Sequence, residues 1–332
     1  MAHTANGATR VLATSKTLLG SHRLSRRTAE IAWCYAFMLP SLVLAALFTF
    51  YPIVASWYFS MLDWSGLSSE RTFIGLQNYF ELIQDSYFWQ AFERSFGFAL
   101  VTVPIRLGLA LIVAIILNDR ALRLAPVFRT FFFVPVVTTT AIVGILMQFL
   151  FSPFHGPVNQ VLTATGLISE PIDFLGNPAT ALWTIMAVQI WKSFGITMIY
   201  WLAALQAIPT GLYEAGRVDG ADSLALLRHI TLPLLKPFAA IIALITAVST
   251  LRVFDLVQTM TGGGPFFSSE VMEVYIYRNA FSLQAFSVPR LGYASAAGVF
   301  FGVAVMLVAL AQGVIVRRAN AARGFRQRGA AE

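Results

Sequence analysis

The sequence predicts an all-α integral membrane protein with six transmembrane helices, as judged from its composition, its apolar runs and the placement of its basic residues. Of 332 residues, 57% are hydrophobic and only 12% are charged, about half the ~25% charged fraction of an ordinary soluble domain. Six apolar runs approach the ~20 residues that a helix needs to cross a bilayer. These runs are Ala32–Pro52, Phe92–Leu117, Phe128–Phe151, Ala179–Leu205, Phe238–Met260 and Gly292–Val316.

The basic residues predict how these spans are oriented. Of the 23 Lys and Arg residues, 16 lie in the two termini and in the second and fourth loops, four lie in the other loops, and three lie inside spans. Because basic residues favour the cytoplasmic side, both termini and the loop 207–236 are predicted to be cytoplasmic. The predicted map is a basic tail over residues 1–30, a membrane domain over 31–317 with an external loop at 53–91, and a basic tail over 318–332.

The external loop is rich in aromatic side chains, which allows two interpretations. Aromatic rings at this density suit a membrane–water interface, and this is the favoured interpretation. In the alternative, the segment Phe73–Leu82 packs as a small external subdomain that touches a partner.

Few residues are suited to metal binding or covalent chemistry. Cys34 is the only cysteine and the four histidines are scattered, so an intrachain disulfide is excluded and no Cys/His metal spacing occurs. The chain has no GxxxxGK[ST] loop for nucleotide phosphates, and no catalytic constellation lies within the spans. Glycines 262–264 are predicted to form an external turn. The sequence therefore predicts a chain that is not an enzyme and binds no cofactor itself.

The cytoplasmic stretch Glu214–Pro233, EAGRVDGADSLALLRHITLP, predicts two short helices joined by a turn. Pro209 and Thr210 can begin the first helix, and Gly220 can adopt the positive φ of a turn. Asp222 can cap the second helix, which we expect to end at Leu232-Pro233 because proline interrupts helices. A linker between two spans needs no such architecture, whereas a docking element does.

The same stretch resembles the EAA loop in the membrane subunits of bacterial ABC importers, Glu-Ala-Ala-x3-Gly-x9-Ile-x-Leu-Pro. The sequence departs from this pattern only at Gly216, where the family usually has Ala, which weakens the first helix slightly. Other segments resemble those of sugar-uptake permeases. They are FIGLQNYFEL near residue 73, WKSFGITMIYWLAALQA from Trp191, FDLVQTMTGGGP from Phe254 and GYASA from Gly292.

This resemblance implies a type I importer permease fold and a bacterial plasma-membrane location. It further implies that the chain forms half of a path for a sugar or sugar-like solute, paired with a second permease subunit. The expected partners are a dimer of ATP-binding subunits, which hold ATP and Mg²⁺, and an external solute-binding protein. The residues implied in coupling to the ATP-binding subunit are Glu214, Ala215, Gly216, Asp219, Gly220, Ala221, Leu224, Ile230, Leu232 and Pro233.

Polar residues inside the spans are candidates for the substrate path, because an ionisable side chain there is costly and usually faces the bundle interior. In the fourth span they are Gln189, Trp191, Lys192 and Tyr200, and near the fifth they are Arg252 and Asp255. Lys192 could equally be a structural or snorkelling residue, and a local Arg252–Asp255 salt bridge is favoured over substrate contact. Arg106 has no evident local partner and is assigned no role.

A secondary transporter of a small polar solute is the alternative function. Such carriers often have broken helices in both halves. We expect no matching pair of broken spans here, and no carboxylate is well placed for proton coupling.

Overall fold

The computed structural model describes residues 28–119, 122–281 and 288–328, with only the backbone described from residue 315 onwards. Nearly all of the predicted N-terminal tail, residues 1–30, lies outside the described residues. The chain divides into two compact units, Met1–Tyr58 and Phe59–Glu332.

The described part of the first unit belongs to helix α1, Thr28–Phe59, which contains a π-helical stretch at Ala46–Phe50. This helix is longer than the apolar run from which it was predicted. The loop that was expected to begin at residue 53 therefore begins after Phe59.

The second unit contains the remaining described elements, almost all of them helical. In chain order they are β1 (Leu62–Asp63), β2 (Thr72–Phe73), α2 (Gln77–Gln84), α3 (Ser86–Leu117), α4 (Ala125–Val137), α5 (Thr140–Leu150), α6 (Pro157–Ala164), α7 (Ala181–Gln206), α8 (Thr210–Val218), α9 (Ser223–Thr250), α10 (Phe254–Met260), α11 (Met272–Phe281) and α12 (Leu291–Arg328). Helix α12 continues through the predicted C-terminal tail as far as Arg328.

The predicted number of spans is confirmed when one bent pair is counted as a span. Helices α1, α3, α7, α9 and the first 24 residues of α12 are long and apolar enough to cross a membrane, and α4 with α5 makes a sixth. This pair corrects the prediction of one span over Phe128–Phe151, because α4 and α5 meet at an angle of 97°. The bend falls in Val136–Thr140, a run of β-branched residues that favours extended backbone.

The fifth predicted span, Phe238–Met260, is also corrected. Helix α9 ends at Thr250 and α10 begins at Phe254, so the span is broken at residues 251–253. One bent pair, α4 with α5, makes a broken span in the described residues, so the expectation of no matching pair of broken spans in the two halves stays a prediction. The two segments beyond the breaks, α5 and α10, pack so closely that a Cβ on Gly144 would lie 1.8 Å from Thr259 Oγ1.

Leu232-Pro233 does not end the second helix of the Glu214–Pro233 stretch, contrary to the prediction. The helix passes through a π-helical turn at Leu227–Thr231 and continues as α9 up to Thr250. A proline lacks the backbone N–H that would donate a helical hydrogen bond. A π-helical turn before the proline allows the helix to continue despite this missing bond. The second helix of this stretch and the predicted fifth span as far as Thr250 are consequently one helix of 28 residues, Ser223–Thr250.

The buried core is centred on α3 and α7, and α9 and α4 also contact α7. Trp201 on α7 donates a hydrogen bond to the carbonyl of Leu107 on α3 at 3.1 Å. A Cβ on Gly195 would lie 2.1 Å from the carbonyl oxygen of Phe132, so glycine allows α7 to approach the α4 backbone closely.

The segment between α1 and α3 is ordered and packs against the start of α12, and its contact with a partner stays a prediction. Strands β1 and β2 pair antiparallel, and the buried Asn78 donates to the carbonyls of Ser60 and Leu62, each at 2.9 Å. Phe73 and Phe80 remain largely exposed, which is also compatible with a membrane interface.

Candidate functional site

The coupling segment, defined here as residues 209–233, has the predicted start, turn and cap. Helix α8 begins at Thr210, and Gly220 adopts a φ of +83° in the turn that follows α8. The Asp222 carboxylate accepts a hydrogen bond from the Ala225 backbone N–H at 2.7 Å, which caps the second helix.

Two contacts join α8 firmly to α9. The hydroxyls of Tyr213 and Thr231 lie 3.1 Å apart. Gly216 lies against the second helix, because a Cβ there would be 2.7 Å from Leu226 Cδ2 and 3.1 Å from Ile230 Cδ1. The departure from the EAA pattern therefore has a structural consequence, since glycine at this position lets the two helices approach more closely than alanine would.

The opposite face of the coupling segment is exposed and carries both apolar and charged side chains. Val218 is 87% exposed and Leu224 is 69% exposed, so this face carries two large apolar side chains. The Glu214 carboxylate is exposed and makes no hydrogen bond or ion pair with the described residues. Glu214, Ala215, Asp219, Gly220, Leu224 and Leu232 are thus exposed, whereas Gly216, Ala221, Ile230 and Pro233 are half-buried.

The broken span brings four charged side chains near one another, and we call Lys192, Arg252, Asp255 and Glu273 the break cluster. Asp255 is near enough to Lys192 for their charges to interact, and Glu273 interacts in the same way with Arg252 and Asp255. The expected Arg252–Asp255 salt bridge was wrong, because no such pair lies within 4.0 Å among the described residues. The helical break separates the two residues, so the three-residue spacing does not place them on one helix face.

The remaining candidates for the path do not form one group. Gln189 is buried, whereas Trp191 is 49% exposed on the outer surface of α7. Tyr200 lies within electrostatic range of Arg106 rather than near Lys192, since eight residues along a helix span about 12 Å.

Arg106 and Glu273 are the functional candidates that sequence reasoning missed. Arg106 is 3% exposed and donates from Nη2 to Ser249 Oγ at 3.3 Å and to the Thr246 carbonyl at 3.5 Å. A cation at the C-terminal end of α9 is favourable because the carbonyls there carry partial negative charge. The intramembrane arginine was visible in the sequence, but its partners 140 and 143 residues away were not.

The Glu273 carboxylate accepts a hydrogen bond from the Phe254 backbone N–H at 2.7 Å and so caps α10. Burial raises the pKa of this carboxyl, and the backbone hydrogen bonds from Phe254 and Val253 oppose the rise. No local sequence signal connects Glu273 with a helix that begins 19 residues earlier.

A network of polar contacts joins α3, α11 and α12 at the end of α3 that begins with Ser86. Asp85 accepts hydrogen bonds from the hydroxyls of Tyr275 and Tyr293, and Arg290 forms a bidentate ion pair with Glu81 at 2.6 Å. Burial opposes ionisation of Asp85, but the hydrogen bonds from the two tyrosines, together with those from the backbone N–H groups of Tyr87 and Phe88, lower the pKa of this carboxyl.

Comparison with known proteins identifies relatives over most of the chain. The family described as "Binding-protein-dependent transport system inner membrane component" matches residues 106–321. The probable ABC transporter permease protein YurN of Bacillus subtilis is 36% identical over 263 residues, which cover 79% of this chain and 88% of that protein. The lactose transport system permease protein LacF of Rhizobium radiobacter is also 36% identical, with 79% of this chain and 86% of that protein covered.

The fold also resembles that of a solved transporter. A chain in the crystal structure of a bacterial ABC transporter that imports the acidic polysaccharide alginate has a TM-score of 0.76 and 25% identity. The match covers 89% of this chain and 99% of that chain.

Proposed function

The chain belongs to the family of binding-protein-dependent transport system inner membrane components, and from this premise we propose that it forms half of the translocation path of an ATP-driven sugar importer. The membership itself establishes a membrane permease of the ABC-importer type. The sugar class, the partners and the orientation are the parts that we propose.

The observation that carries the proposal is the coupling segment, which comprises α8 and the beginning of α9. Its exposed face combines Val218 and Leu224 with the unpaired Glu214 carboxylate, as expected of a surface that fits a partner's groove. Because the segment is continuous with a membrane span, force applied to it reaches the break cluster along one helix of about 42 Å.

We propose that this surface docks on an ATP-binding subunit, which holds ATP and Mg²⁺ and performs the hydrolysis, while this chain is not catalytic and binds no cofactor. The second permease subunit completes the path, and an external solute-binding protein delivers the solute. The proposed docking requires the coupling segment, and with it both termini, to be cytoplasmic, as the distribution of basic residues predicts.

A sugar or sugar-like solute is the proposed substrate. Relatives named for lactose and for trehalose and maltose support this class. Within the path, we propose that Gln189 and the break cluster contact the solute, because buried amide and charged groups can bind sugar hydroxyls. Broken spans are typical of ion-coupled carriers. Here they are weak evidence for such a carrier, because membership of the permease family already accounts for the fold.

The test is made on the complete complex in lipid nanodiscs, with Glu214→Ala as the variant and Glu170→Ala as the control. Both glutamates are exposed, but Glu170 lies in the loop between α6 and α7. If Glu214 pairs with a basic residue of the ATP-binding subunit, its loss costs ~2 kcal/mol or more. Glu214→Ala should then reduce transport and ATP hydrolysis stimulated by the solute-binding protein at least tenfold, whereas the control should leave both unchanged.

Normal transport by a fully assembled Glu214→Ala complex would refute the docking role. ATP-independent sugar accumulation by this chain alone would refute the importer function itself and support a secondary transporter.

A further inference from the structure

A cleft of about 450 Å³ opens at the end of the α5–α10 pair that lies away from the breaks. Its walls are the end of α5, the loop before α6, the loop before α7 and the loop that follows α10. The volume lies within the range of about 300–1,000 Å³ that is usual for small-molecule sites. Neither the coupling segment nor the break cluster contributes to it.

The walls of the cleft are held by hydrogen bonds between separate segments. Gln148 donates from Nε2 to the Met260 carbonyl at 3.0 Å, which joins α5 to α10. Asp173 accepts a hydrogen bond from the Gly176 backbone N–H through Oδ1 at 2.7 Å. Thr261 and Ser269 are linked through their hydroxyls at 2.8 Å.

The same contacts leave two acceptors free at the cleft. Gln148 uses only its amide nitrogen and Asp173 uses only Oδ1, so Gln148 Oε1 and Asp173 Oδ2 have no hydrogen-bond partner among the described residues. Amide and carboxylate oxygens of this kind accept hydrogen bonds from sugar hydroxyls.

Aromatic rings provide the apolar part of the cleft. Phe154 is 85% exposed, although it lines the cleft, and burying such a ring against an apolar surface is favourable. Phe151 is held by an edge contact with Phe174, with 5.4 Å between ring centroids. The apolar face of a pyranose fits such a ring, while its hydroxyls reach the free oxygens.

We propose that this cleft is a staging site for a neutral sugar ring at the entrance to the path. The proposal rests on the proposed importer function and adds a preference for neutral over acidic sugars. No Lys, Arg or His is among the residues that line the cleft, so an acidic sugar would meet the Asp173 carboxylate without a compensating cation.

The position of the cleft relative to the broken span supports a staging role. Asp255 of the break cluster lies in the first turn of α10, and Met260 and Thr261 at its other end line the cleft. Asp255 and Thr261 are six residues apart, so about 9 Å along the helix separates the two sites, roughly the length of a disaccharide.

The test measures direct binding to the complete complex in nanodiscs, without the solute-binding protein, by saturation-transfer NMR. The probes are maltose, lactose and trehalose as neutral sugars and glucuronate as an acidic one. Phe154→Ala removes the ring, and Asp173→Asn keeps the Oδ1 acceptor for Gly176 while removing the charge. Glu170→Gln is the matched control, because it is an exposed carboxylate that does not line the cleft.

We expect wild-type complex to bind at least one neutral sugar and not glucuronate. Phe154→Ala should weaken neutral-sugar binding about tenfold, which corresponds to the loss of about 1.4 kcal/mol. Asp173→Asn should raise glucuronate binding relative to neutral sugar at least fivefold, whereas the control should change neither.

Two results would overturn the staging site. One is neutral-sugar binding that neither variant alters, or that is absent from wild type. The other is loss of the second permease subunit from the Phe154→Ala complex, which would show that the cleft is a subunit contact. If ATP-driven sugar transport remains normal in either case, only the cleft is refuted. The absence of ATP-driven transport of any sugar would refute the proposed function instead.

Discussion

Gly220 and Gly211 offer a matched pair of substitutions that tests how the coupling segment is held. A Cβ added at either glycine meets no atom within 4 Å, so neither alanine variant creates a clash. Only the backbone differs, because Gly220 has a φ of +83° whereas Gly211 lies within helix α8.

The two changes should therefore shift the stability of the segment in opposite directions. Alanine in the left-handed region costs ~1–2 kcal/mol, and alanine in place of a helical glycine contributes up to ~1 kcal/mol. Gly220→Ala should accelerate opening of the turn by about 5–30-fold, while Gly211→Ala should slow it.

Hydrogen exchange of the assembled complex measures this opening directly. The informative amides are those of Gly220 and Ala221, which donate to the carbonyls of Arg217 at 3.1 Å and Gly216 at 2.9 Å. Transport by the Gly220→Ala complex should fall in parallel with the lost protection. Equal exchange in the two variants would show that the φ of Gly220 does not hold the turn.

Three further perturbations test the packing of the membrane unit. Ser249→Ala removes the nearer acceptor of the buried Arg106 guanidinium and should destabilise the complex by ~1–3 kcal/mol. The control Ser295→Ala, which loses only a bond to its own helix, should lower the melting temperature much less. Gly195→Ala places a Cβ 2.1 Å from a backbone carbonyl and should cost ~3 kcal/mol or reduce folding yield; Gly108→Ala has open space and should be tolerated. The pKa of Asp85 is lowered in the folded protein from its ordinary value of 3.8. The ionised carboxylate therefore stabilises the fold above pH 3.8, and this contribution is lost as the pH falls through the lower pKa of the folded state. Asp85→Asn should reduce stability at pH 7 and flatten the loss measured as the pH falls below 3.8, and an unchanged acid profile would contradict this assignment.

Local signals in the sequence were sufficient for the coupling segment. Its helix start, the glycine turn and the Asp222 cap each depend on contacts within a few residues, and the structure has all three. The end of the second helix was predicted wrongly, because the effect of Pro233 depends on whether the preceding turn can adopt π geometry. Propensity alone does not reveal that choice, and membrane helices often accommodate proline.

The sequence by itself determined the membrane class, the six apolar runs and the family resemblance, because composition, run length and motif spacing are properties of the linear chain. The tertiary structure decided which polar residues meet. Only folding brings Arg106 to Ser249 on α9, Glu273 to the start of α10, and Gln148 and Asp173 to one cleft. It also decided that two apolar runs break, and that the segments beyond the breaks pack against each other at Gly144 and Thr259. Such contacts depend on three-dimensional proximity between residues far apart in the chain, which hydrophobic periodicity does not encode.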